Sequence, residues 1–495
     1  MIKISVIKSD NTGIIKTETG RSLLDILRKE GFNIYAPCGG KGKCGKCIVN
    51  ITGEGSVISC VYHPDKDIEV ILPGKEEANI LISQTEFLED IPFKNSNNHI
   101  SLKPYGAAID IGTTTVVLYF LDLLSGEIER IASFLNPQKV FGGDVISRIN
   151  YCQEHESGLK ELQQIIVNAI NNELDIFCVN EHIIPGDFEK IIIAGNTTML
   201  HLILGVDPIS IALAPFRPKF ISRQTRKGNS TGLNVNPAAK VITLPCISAY
   251  VGADIVAGLS VIKPLYKNYL FLDIGTNGEM ALIRGEEIFT CATAAGPAFE
   301  GASLSCGMGA VNGAISSFAG QNIYQVIGNS EPLGICGSGI VDIVAYLLRN
   351  DLIDETGFLK ESFVINPDSR IEVTQQDIRE IQLAKSAIYS GIRVLMSMSG
   401  ISSGDIDALF LAGGFGNYIN VRSAIEIGLL PYELKDRIYP VGNSAGIGAL
   451  QYLKSDEFEE RISKTLKNSR YIELSNLDEF STEFALNMNF VKYRL

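Results

Sequence analysis

The sequence lacks several features that would each define a class of protein. Its 495 residues hold 43 lysines and arginines against 56 aspartates and glutamates, a formal net charge of −13. A surface of that sign excludes nucleic acid and anionic membranes as partners held by charge. No run of about eighteen uncharged apolar residues occurs, so no membrane-spanning helix is predicted. A G-x-x-x-x-G-K-[ST] segment is also missing, and a P-loop nucleotide site is therefore not expected.

The sequence also opens without an export signal. We therefore expect a cytoplasmic protein whose ten cysteines stay reduced and available as thiols or metal ligands. The length predicts more than one domain. With nucleic acid and membranes excluded, a protein or small-molecule partner is favoured.

Four of the cysteines lie in one glycine-rich segment near the amino terminus. Five, two and twelve residues separate Cys38, Cys44, Cys47 and Cys60 in turn. The first three positions match the ligands of plant-type [2Fe-2S] ferredoxins, whereas the fourth comes earlier than in those proteins. The intervening string GGKGK, residues 39–43, supplies small residues that let backbone N–H groups approach sulfide, and lysines that offset cluster charge. A [2Fe-2S] cluster is the leading interpretation.

Two other interpretations of the cysteines stay open. Four thiolates also make a tetrahedral zinc site, but zinc ribbons normally pair two C-x-x-C knuckles and this segment has one. A disulfide framework is disfavoured because no export signal is present and the other cysteines are scattered.

The residues around the cysteines predict a small domain. Ile2, Ile4 and Val6 alternate along a first strand, a turn leads to a second strand, and Ser22 caps a short apolar helix. With further strands at CIVNI and IEVILP, this order fits the β-grasp arrangement of [2Fe-2S] ferredoxins. We expect that domain at residues 1–74, followed by a polar linker at 75–104.

From Tyr105 onward the chain contains two pairs of similar segments. AIDIGTTTVVLYFLDLLSGE and YLFLDIGTNGEMALIRGEE each predict a strand, a tight turn and a second strand. KIIIAGNTTMLHLILG and ALFLAGGFGNYIN each predict a buried strand, a glycine turn and a helix. The pairs alternate along the chain, which indicates a duplicated architecture.

This order of segments resembles the superfamily of acetate and sugar kinases, heat-shock chaperones and actin. AIDIGTTTV resembles its phosphate-1 loop, LDIGTNGEM its phosphate-2 loop and LFLAGGFGNY its adenosine loop, while IIIAGNTTM and GICGSGIVDIVAYL resemble its connecting segments. Two acidic strand ends that face each other can hold a hydrated Mg²⁺, and Gly-Thr turns offer donors to phosphates. Dinucleotide binding is a minor alternative, because the glycines of GICGSG lack the G-x-G-x-x-G spacing.

The resemblance implies a set of site residues. The catalytic candidates are Asp110, Asp273 and Glu300. The candidates for binding ATP are Gly112, Thr113, Thr114, Thr115, Asn196, Thr197, Gly275, Thr276, Asn277, Gly413, Gly414, Phe415 and Gly416. Glu300 is the candidate that would orient water toward the γ-phosphate, although it could instead bind only a backbone amide.

Three further strings make the resemblance specific to one family within this superfamily. NPQKVFGGDVISRI, LPCISAYVGADIVAGL and AAGPAFEGASLSCGMGA, together with the cysteine segment, are similar to the reductive activators of corrinoid-dependent proteins. The predicted fold class is therefore α/β and α+β multidomain, with a β-grasp [2Fe-2S] ferredoxin domain before a duplicated actin-like (ASKHA, ribonuclease H-like) ATPase domain. That ATPase domain would span residues 105–495, in lobes of about 105–265 and 266–495.

The resemblance also implies an activity. One electron would pass from a [2Fe-2S] cluster to Co(II) of a corrinoid protein in a methyltransferase system, with ATP and Mg²⁺ as further cofactors and an unidentified low-potential donor reducing the cluster. A homodimer is an expectation of the same family. Two rival hypotheses stay open: an activator of another low-potential reductase or dehydratase, and a redox-sensing nucleotide-binding protein without turnover.

Overall fold

The structure is a computed structural model. It describes residues 1–8, 11–30, 32, 34, 36, 40, 42, 47–72, 86–94, 99–321 and 323–491. The predicted cluster ligands Cys38 and Cys44 lie outside the described residues, as does the predicted end of the first domain at residue 74.

The amino-terminal unit is one mixed sheet with a helix packed on it. Its elements are β1 (Ile2–Lys8), β2 (Asn11–Thr17), α1 (Leu23–Lys29), β3 (Ile48–Ile51), β4 (Gly55–Ile58) and β5 (Ile68–Ile71). The strand order is β2-β1-β5-β3-β4, with β1 parallel to β5 and the other pairs antiparallel. Ser22 caps α1 as predicted, because its side chain accepts a hydrogen bond from the Asp25 N–H. The apolar face of α1 shares a core with the sheet.

A second, six-stranded sheet carries the first phosphate-loop candidate. The elements of this first lobe are β6 (Tyr105–Ile111), β7 (Thr115–Asp122), β8 (Ile128–Leu135), α2 (Val145–Glu154), α3 (Gly158–Glu181), β9 (Phe188–Gly195), α4 (Thr197–Ile203), α5 (Ile209–Ala212), β10 (Gln224–Lys227), β11 (Lys240–Thr243) and α6 (Ala253–Val261). The strand order is β10-β11-β9-β6-β7-β8.

A third, six-stranded sheet carries the second phosphate-loop candidate. The elements of this second lobe are β12 (Asn268–Ile274), β13 (Gly278–Arg284), β14 (Glu287–Thr293), β15 (Ala314–Gly320), β16 (Ile323–Val326), β17 (Gly334–Ile335), α7 (Gly337–Arg349), β18 (Phe363–Asn366), β19 (Ile371–Val373), α8 (Gln375–Ser399), β20 (Ala408–Ala412), α9 (Gly413–Tyr418), α10 (Val421–Glu426), β21 (Ile438–Gly442), α11 (Ser444–Lys454), α12 (Phe458–Asn468), β22 (Ser469–Tyr471) and α13 (Asp478–Leu486). The strand order is β21-β20-β12-β13-β14-β22.

The two large sheets share a topology. In each, an antiparallel meander of three strands is extended by two parallel strands, β9 and β11 in the first and β20 and β21 in the second. Both meanders and both strand-to-helix turns lie where the repeated segments predict them. The sheets differ at their edges, where β10 pairs antiparallel with β11 and β22 pairs parallel with β14.

The helices α11 and α12 cross from the second lobe to the first. Most apolar residues of α11 belong to the core cluster that contains the sheet of the first lobe, together with Phe458 and Ile462 of α12. The crossing is tight: a Cβ built on Gly448 of α11 would lie 2.3 Å from the carbonyl oxygen of Ala257 on α6. The chain after residue 266 therefore contributes to both cores.

Part of the predicted linker packs against this two-lobed body. Leu88 forms an isolated bridge with Ile262, and the ring of Phe87 lies 5.5 Å from that of Phe410 on β20. Leu88 and Ile91 are buried in a core that contains residues of both large sheets. Residues 86–94 are therefore packed at the junction of the two lobes.

In the part of the chain that the structure describes, no helix combines the length and the apolar content needed to span a bilayer.

Candidate functional site

A cavity of about 280 Å³ lies where the two large sheets face each other, at the ends of β6 and β12. Asp110 on β6 pairs in register with Ala194, and Asp273 on β12 pairs with Ala412, so each carboxylate lies beside the turn that follows a parallel strand. Both carboxylates line the cavity. The predicted residues that also line it are Gly112, Thr113, Thr114, Thr115, Asn196, Gly275, Thr276, Asn277, Glu300, Gly413, Gly414 and Phe415.

Two predicted binding residues do not line the cavity. The side chain of Thr197 is buried and its hydroxyl donates to the Ser248 carbonyl at 2.8 Å, which fixes the start of α4. A Cβ on Gly416 would face Leu411 of the preceding strand, because α9 turns that position toward the sheet. Both residues support the walls from outside.

Further polar residues line the same cavity, and three of them lie close to the carboxylates or carry a charge. Asp254 lies in the first turn of α6, Glu279 on β13, and Asn443 caps α11. Asp254 and Asn443 were not identified from the sequence. Their positions follow from the packing of α6 and α11 under the two sheets. The only local signal was the string VGAD, where a glycine precedes an acidic first turn.

The acidic residues of the cavity are buried together, and this raises their pKa values. Burial, and then the charges of Asp254 and Glu300, raise the pKa of Asp273 to about 7. Burial raises the pKa of Asp254 to about 6. The pKa of Asp110 lies well above its usual range through burial, then through Asp254 and Asp273, while a hydrogen bond from Asn443 acts in the opposite direction. A cation among these carboxylates would relieve their mutual repulsion.

The arrangement fits a hydrated Mg²⁺ better than a fully protein-ligated ion. Among the described residues, no group of three or more His, Cys, Asp or Glu side chains is close enough to hold a metal ion directly. Mg²⁺ in nucleotide sites usually keeps several waters and takes one or two carboxylates together with phosphate oxygens. Asp110 and Asp273, which both line the cavity, are the residues that could hold such an ion.

The first phosphate-loop candidate is held from behind by the segment that follows β8. The Asn136 side chain donates to the Gly112 carbonyl at 2.8 Å, and the Asn136 N–H donates to the Thr114 carbonyl at 2.8 Å. Between them, Arg148 Nη2 donates to the Thr113 carbonyl at 2.5 Å. Three successive carbonyls of this loop therefore accept hydrogen bonds from one segment, residues 136–148.

Glu300 connects the two lobes at the cavity. One of its carboxylate oxygens accepts from the Thr114 hydroxyl at 3.1 Å, and the other accepts from the Thr276 hydroxyl at 2.5 Å. Burial raises the pKa of Glu300, while these two hydrogen bonds and the charge of Arg148 lower it. The carboxylate of Glu300 therefore bridges both phosphate-loop candidates, and the two roles named for it from the sequence stay predictions.

In the adenosine-loop candidate, Gly413 packs closely against Asp273. Gly413 has φ +77°, and a Cβ built there would lie 2.5 Å from Asp273 Oδ1. Two residues on, Phe415 stacks on Phe299 with ring centroids 4.9 Å apart. The loop therefore gives the cavity one apolar wall and keeps Asp273 in place through backbone contact.

The cysteine segment is described only in part. Cys47 is buried and Cys60 is half-buried, and the Cys60 N–H donates to Cys47 Sγ at 3.4 Å. A Cβ on Gly40, at φ +88°, would lie 3.8 Å from Cys60 Cβ, so Gly40 lies beside Cys60. Backbone donors to cysteine sulfur are typical of iron–sulfur ligands. The described residues therefore fit a cluster site, for which Cys38 and Cys44 remain predicted ligands.

The amino-terminal unit touches the first lobe beside the segment 136–148. The Arg28 guanidinium of α1 lies 5.7 Å from the centroid of the Phe141 ring. Phe141 packs on Tyr151 of α2 with centroids 4.8 Å apart, and the charge of Arg28 acts on the Tyr151 hydroxyl. Arg28 also lies close to Gly40, 3.9 Å from a Cβ built there. Through Arg28, the helix α1 therefore contacts both Gly40, which lies between the predicted cluster cysteines in the sequence, and residues 136–148, which hold the first phosphate-loop candidate.

The fold and this cavity define a protein with an ASKHA-type ATPase domain. Residues 267–495 match the family model for the C-terminal, ASKHA domain of RACo, and residues 105–267 match the model for the RACo middle region. The chain belongs to the family of reductive activators of corrinoid proteins, because it is 32% identical to the corrinoid activation enzyme RamQ of Eubacterium limosum over 94% of this chain and 95% of that protein.

Two other proteins support the same assignment. The [Co(II) methylated amine-specific corrinoid protein] reductase of Methanosarcina barkeri is 26% identical over 69% of this chain and 68% of its own length. The solved structure of a reductive activator for corrinoid, iron-sulfur protein superposes with a TM-score of 0.70 at 27% identity, covering 99% of this chain and 98% of that one. The similarity therefore extends over the amino-terminal unit as well as the two lobes.

Proposed function

We propose that this protein is an ATP-dependent reductive activator of a corrinoid protein. In the proposed reaction one electron reduces Co(II) of the corrinoid partner to Co(I), and ATP and water give ADP and phosphate. The observation that carries the proposal is the convergence of both phosphate-loop candidates, two buried carboxylates and the adenosine-loop candidate on one cavity in a chain of this family. The names of the relatives supply the class of partner.

The residues of the cavity have separate tasks in this proposal. Asp110 and Asp273 position the metal–nucleotide complex, and the threonine hydroxyls of the two loops donate to phosphate oxygens. When bound, Mg²⁺ would neutralise charge that develops on the transferred phosphoryl group. Glu300 sets the separation of the loops because it accepts from a threonine of each. Phe415 and the glycines beside it would face the base.

The amino-terminal unit would provide the electron. Its five-stranded sheet and packed helix support a β-grasp ferredoxin fold, with Cys38, Cys44, Cys47 and Cys60 as ligands. When bound, a [2Fe-2S] cluster of this type supplies one electron at a potential of about −400 mV. Each 100 mV of uphill one-electron transfer costs about 2.3 kcal/mol, and ATP hydrolysis can offset that cost.

A single assay tests the reaction. Reduced protein is mixed with Mg·ATP and a Co(II) corrinoid protein, and absorbance is followed for Co(I). We expect Co(I) only when ATP is present, and none with Asp273→Asn, whose cluster spectrum should be unchanged. Reduction that proceeds equally without ATP would contradict the ATP dependence. ATP binding with neither hydrolysis nor Co(I) would instead support the redox-sensing alternative.

The cluster assignment is tested separately by spectroscopy. Cys47→Ala and Cys60→Ala should each lose the [2Fe-2S] absorbance, while Cys178→Ala, which removes a buried thiol of the first lobe, should keep it. ATP affinity should be the same in all three variants, because both target cysteines lie outside the cavity. An unchanged spectrum in Cys60→Ala would mean that another residue completes the site.

A further inference from the structure

Arg148 is a charged side chain with no charged hydrogen-bond partner. It is fully buried on α2, and among the residues that the structure describes no carboxylate forms an ion pair with it. Its guanidinium donates to the Gly142 and Thr113 carbonyls, to Gln138 Oε1 and to Met199 Sδ. Burying a cation against neutral acceptors alone is costly, so a nearby anion is expected to compensate its charge.

The charges that act on Arg148 indicate where that anion lies. Burial lowers the pKa of Arg148 to about 10, and the charge of Glu300, followed by that of Asp144, acts in the opposite direction. Asp144 caps the helix of Arg148 itself, whereas Glu300 belongs to the other lobe and lines the cavity. Glu300 is therefore a carboxylate of the cavity whose charge interacts with that of Arg148.

The hydrogen bond to Thr113 also has a geometric effect. In a trans peptide the C=O and the N–H point to opposite sides. Because Arg148 holds the Thr113 carbonyl on the side of α2, the N–H of Thr114 is turned away from α2. Thr113 and Thr114 both line the cavity, so this N–H faces the side on which a phosphate would be bound.

We propose that Arg148 is a positioning residue for the nucleotide phosphates, which orients the Thr113–Thr114 peptide and makes the cavity selective for an anionic ligand. The inference rests on the nucleotide binding of the proposed function and deepens it, since neither the family match nor the motif assignments give Arg148 a role. Arg148 itself does not touch the ligand; it acts through the loop and through its charge.

The test compares a charged with an uncharged ligand in the full-length protein. Dissociation constants for ATP, ADP and adenosine are measured by calorimetry for the wild type, Arg148→Met and Arg148→Lys. We expect Arg148→Met to weaken ATP about 10-fold, the size of one charge-assisted hydrogen bond, and to leave adenosine unchanged. Arg148→Lys keeps the charge without the planar fork, so its ATP affinity should be intermediate.

The matched control is Arg130→Met. Arg130 lies on β8 of the same lobe, pairs with Glu173 at 2.7 Å and does not line the cavity. Its loss should lower the melting temperature without changing the ratio of ATP to adenosine affinity. If Arg148→Met folds poorly, the same ratio in Arg148→Lys decides the question, because a purely structural arginine leaves it at the wild-type value.

Each outcome has one meaning. Equal weakening of ATP and adenosine, or unchanged affinities with a lower melting temperature, would overturn the role of Arg148 while leaving the proposed function intact. A wild-type protein that binds neither ATP nor ADP would overturn the proposed function itself. A selective loss of ATP and ADP affinity in the Arg148 variants, absent in Arg130→Met, supports the positioning role.

Discussion

Each of the two phosphate-loop candidates is closed by a backbone hydrogen bond from its glycine, but the two loops have different support. In the first loop the Gly112 N–H donates to the Thr115 carbonyl, and in the second the Gly275 N–H donates to the Asn277 carbonyl, each at 2.9 Å. The first loop is held from behind by residues 136–148 of its own lobe, and Asn196 donates to its Thr113 hydroxyl at 3.0 Å.

The second loop depends on a residue that also contacts the other lobe. In the described part of the chain, the side-chain hydrogen bond that fixes Thr276 runs to Glu300, whose other oxygen accepts from Thr114. The first loop is therefore held mainly by its own lobe and makes one further hydrogen bond to Glu300 of the second lobe, whereas the side-chain hydrogen bond of Thr276 goes to that same shared carboxylate.

The largest effect on ATP hydrolysis is expected for Asp110 and Asp273, the carboxylates at equivalent positions just before the two loops. Asp110→Asn and Asp273→Asn should each reduce ATP hydrolysis by about 100-fold or more, because each removes a charge that positions the metal–nucleotide complex. Steady-state phosphate release measures this. The control is Asp122→Asn, an acceptor in the turn after β7 that lies away from the cavity. Hydrolysis within about twofold of wild type in either variant would remove the equivalence.

The next effect tests the backbone support of Asp273. Gly413→Ala forces a Cβ to 2.5 Å from Asp273 Oδ1 at φ +77°, which should destabilise the protein by roughly 1–2 kcal/mol and displace the carboxylate. Gly404→Ala is the matched control, since a Cβ there would meet only the Ser402 hydroxyl at 3.6 Å and Gly404 does not line the cavity. Denaturant unfolding and ATP hydrolysis are measured for both. Equal behaviour of the two variants would show that contact with the loop does not position Asp273.

A smaller effect should separate the two loops. Glu300→Gln keeps one accepting oxygen but loses the charge and one of the two acceptors that join Thr114 to Thr276. We expect ATP hydrolysis to fall by about 10-fold with the KM for ATP little changed, because the first loop keeps its own support. Glu287→Gln, an exposed carboxylate on β14, serves as the control. A change confined to KM would contradict the difference between the loops.

The smallest effect concerns pH. Burial raises the pKa of Asp254 to about 6 and that of Asp273 to about 7, so the folded protein holds protons that the unfolded chain has lost. The stability that these groups contribute is present below about pH 4 and is lost as the pH rises through 6 to 7. Between pH 5.5 and 7.5 without nucleotide, the melting temperature should fall more for the wild type than for Asp273→Asn, by on the order of 2 °C. An equal fall in both would contradict the assignment.

The sequence predicted the parts of the site that are local in the chain. Asp110 and Asp273 each end a strand just before a glycine-threonine turn, and such turns have a recognisable pattern. The parallel strands that bring the turns together also have clear apolar patterns. The cavity at the ends of β6 and β12 could therefore be anticipated from the repeated segments together with the superfamily that they resemble.

The residues that sequence reasoning missed depend on packing between distant segments. Asp254 reaches the cavity because α6 packs under both sheets, and Asn443 because α11 crosses back to the first lobe. No sequence pattern near Asp254 or Asn443 indicates that its side chain reaches the cavity. Thr197 and Gly416 show the opposite case, since they belong to motif strings but the helix that follows each strand turns them away from the cavity.

The contact between Arg28 and Phe141 has a thermodynamic consequence. Residues 136–148 hold the first phosphate-loop candidate on one side, and on the other they receive the helix beside the cysteine loop. The two sites thus share a wall. If nucleotide binding shifts this wall, it changes the equilibrium constant for docking of the amino-terminal unit by some factor. Docking of that unit must then change nucleotide affinity by the same factor. Linkage of this kind is reciprocal, so it can be measured from either end of the molecule.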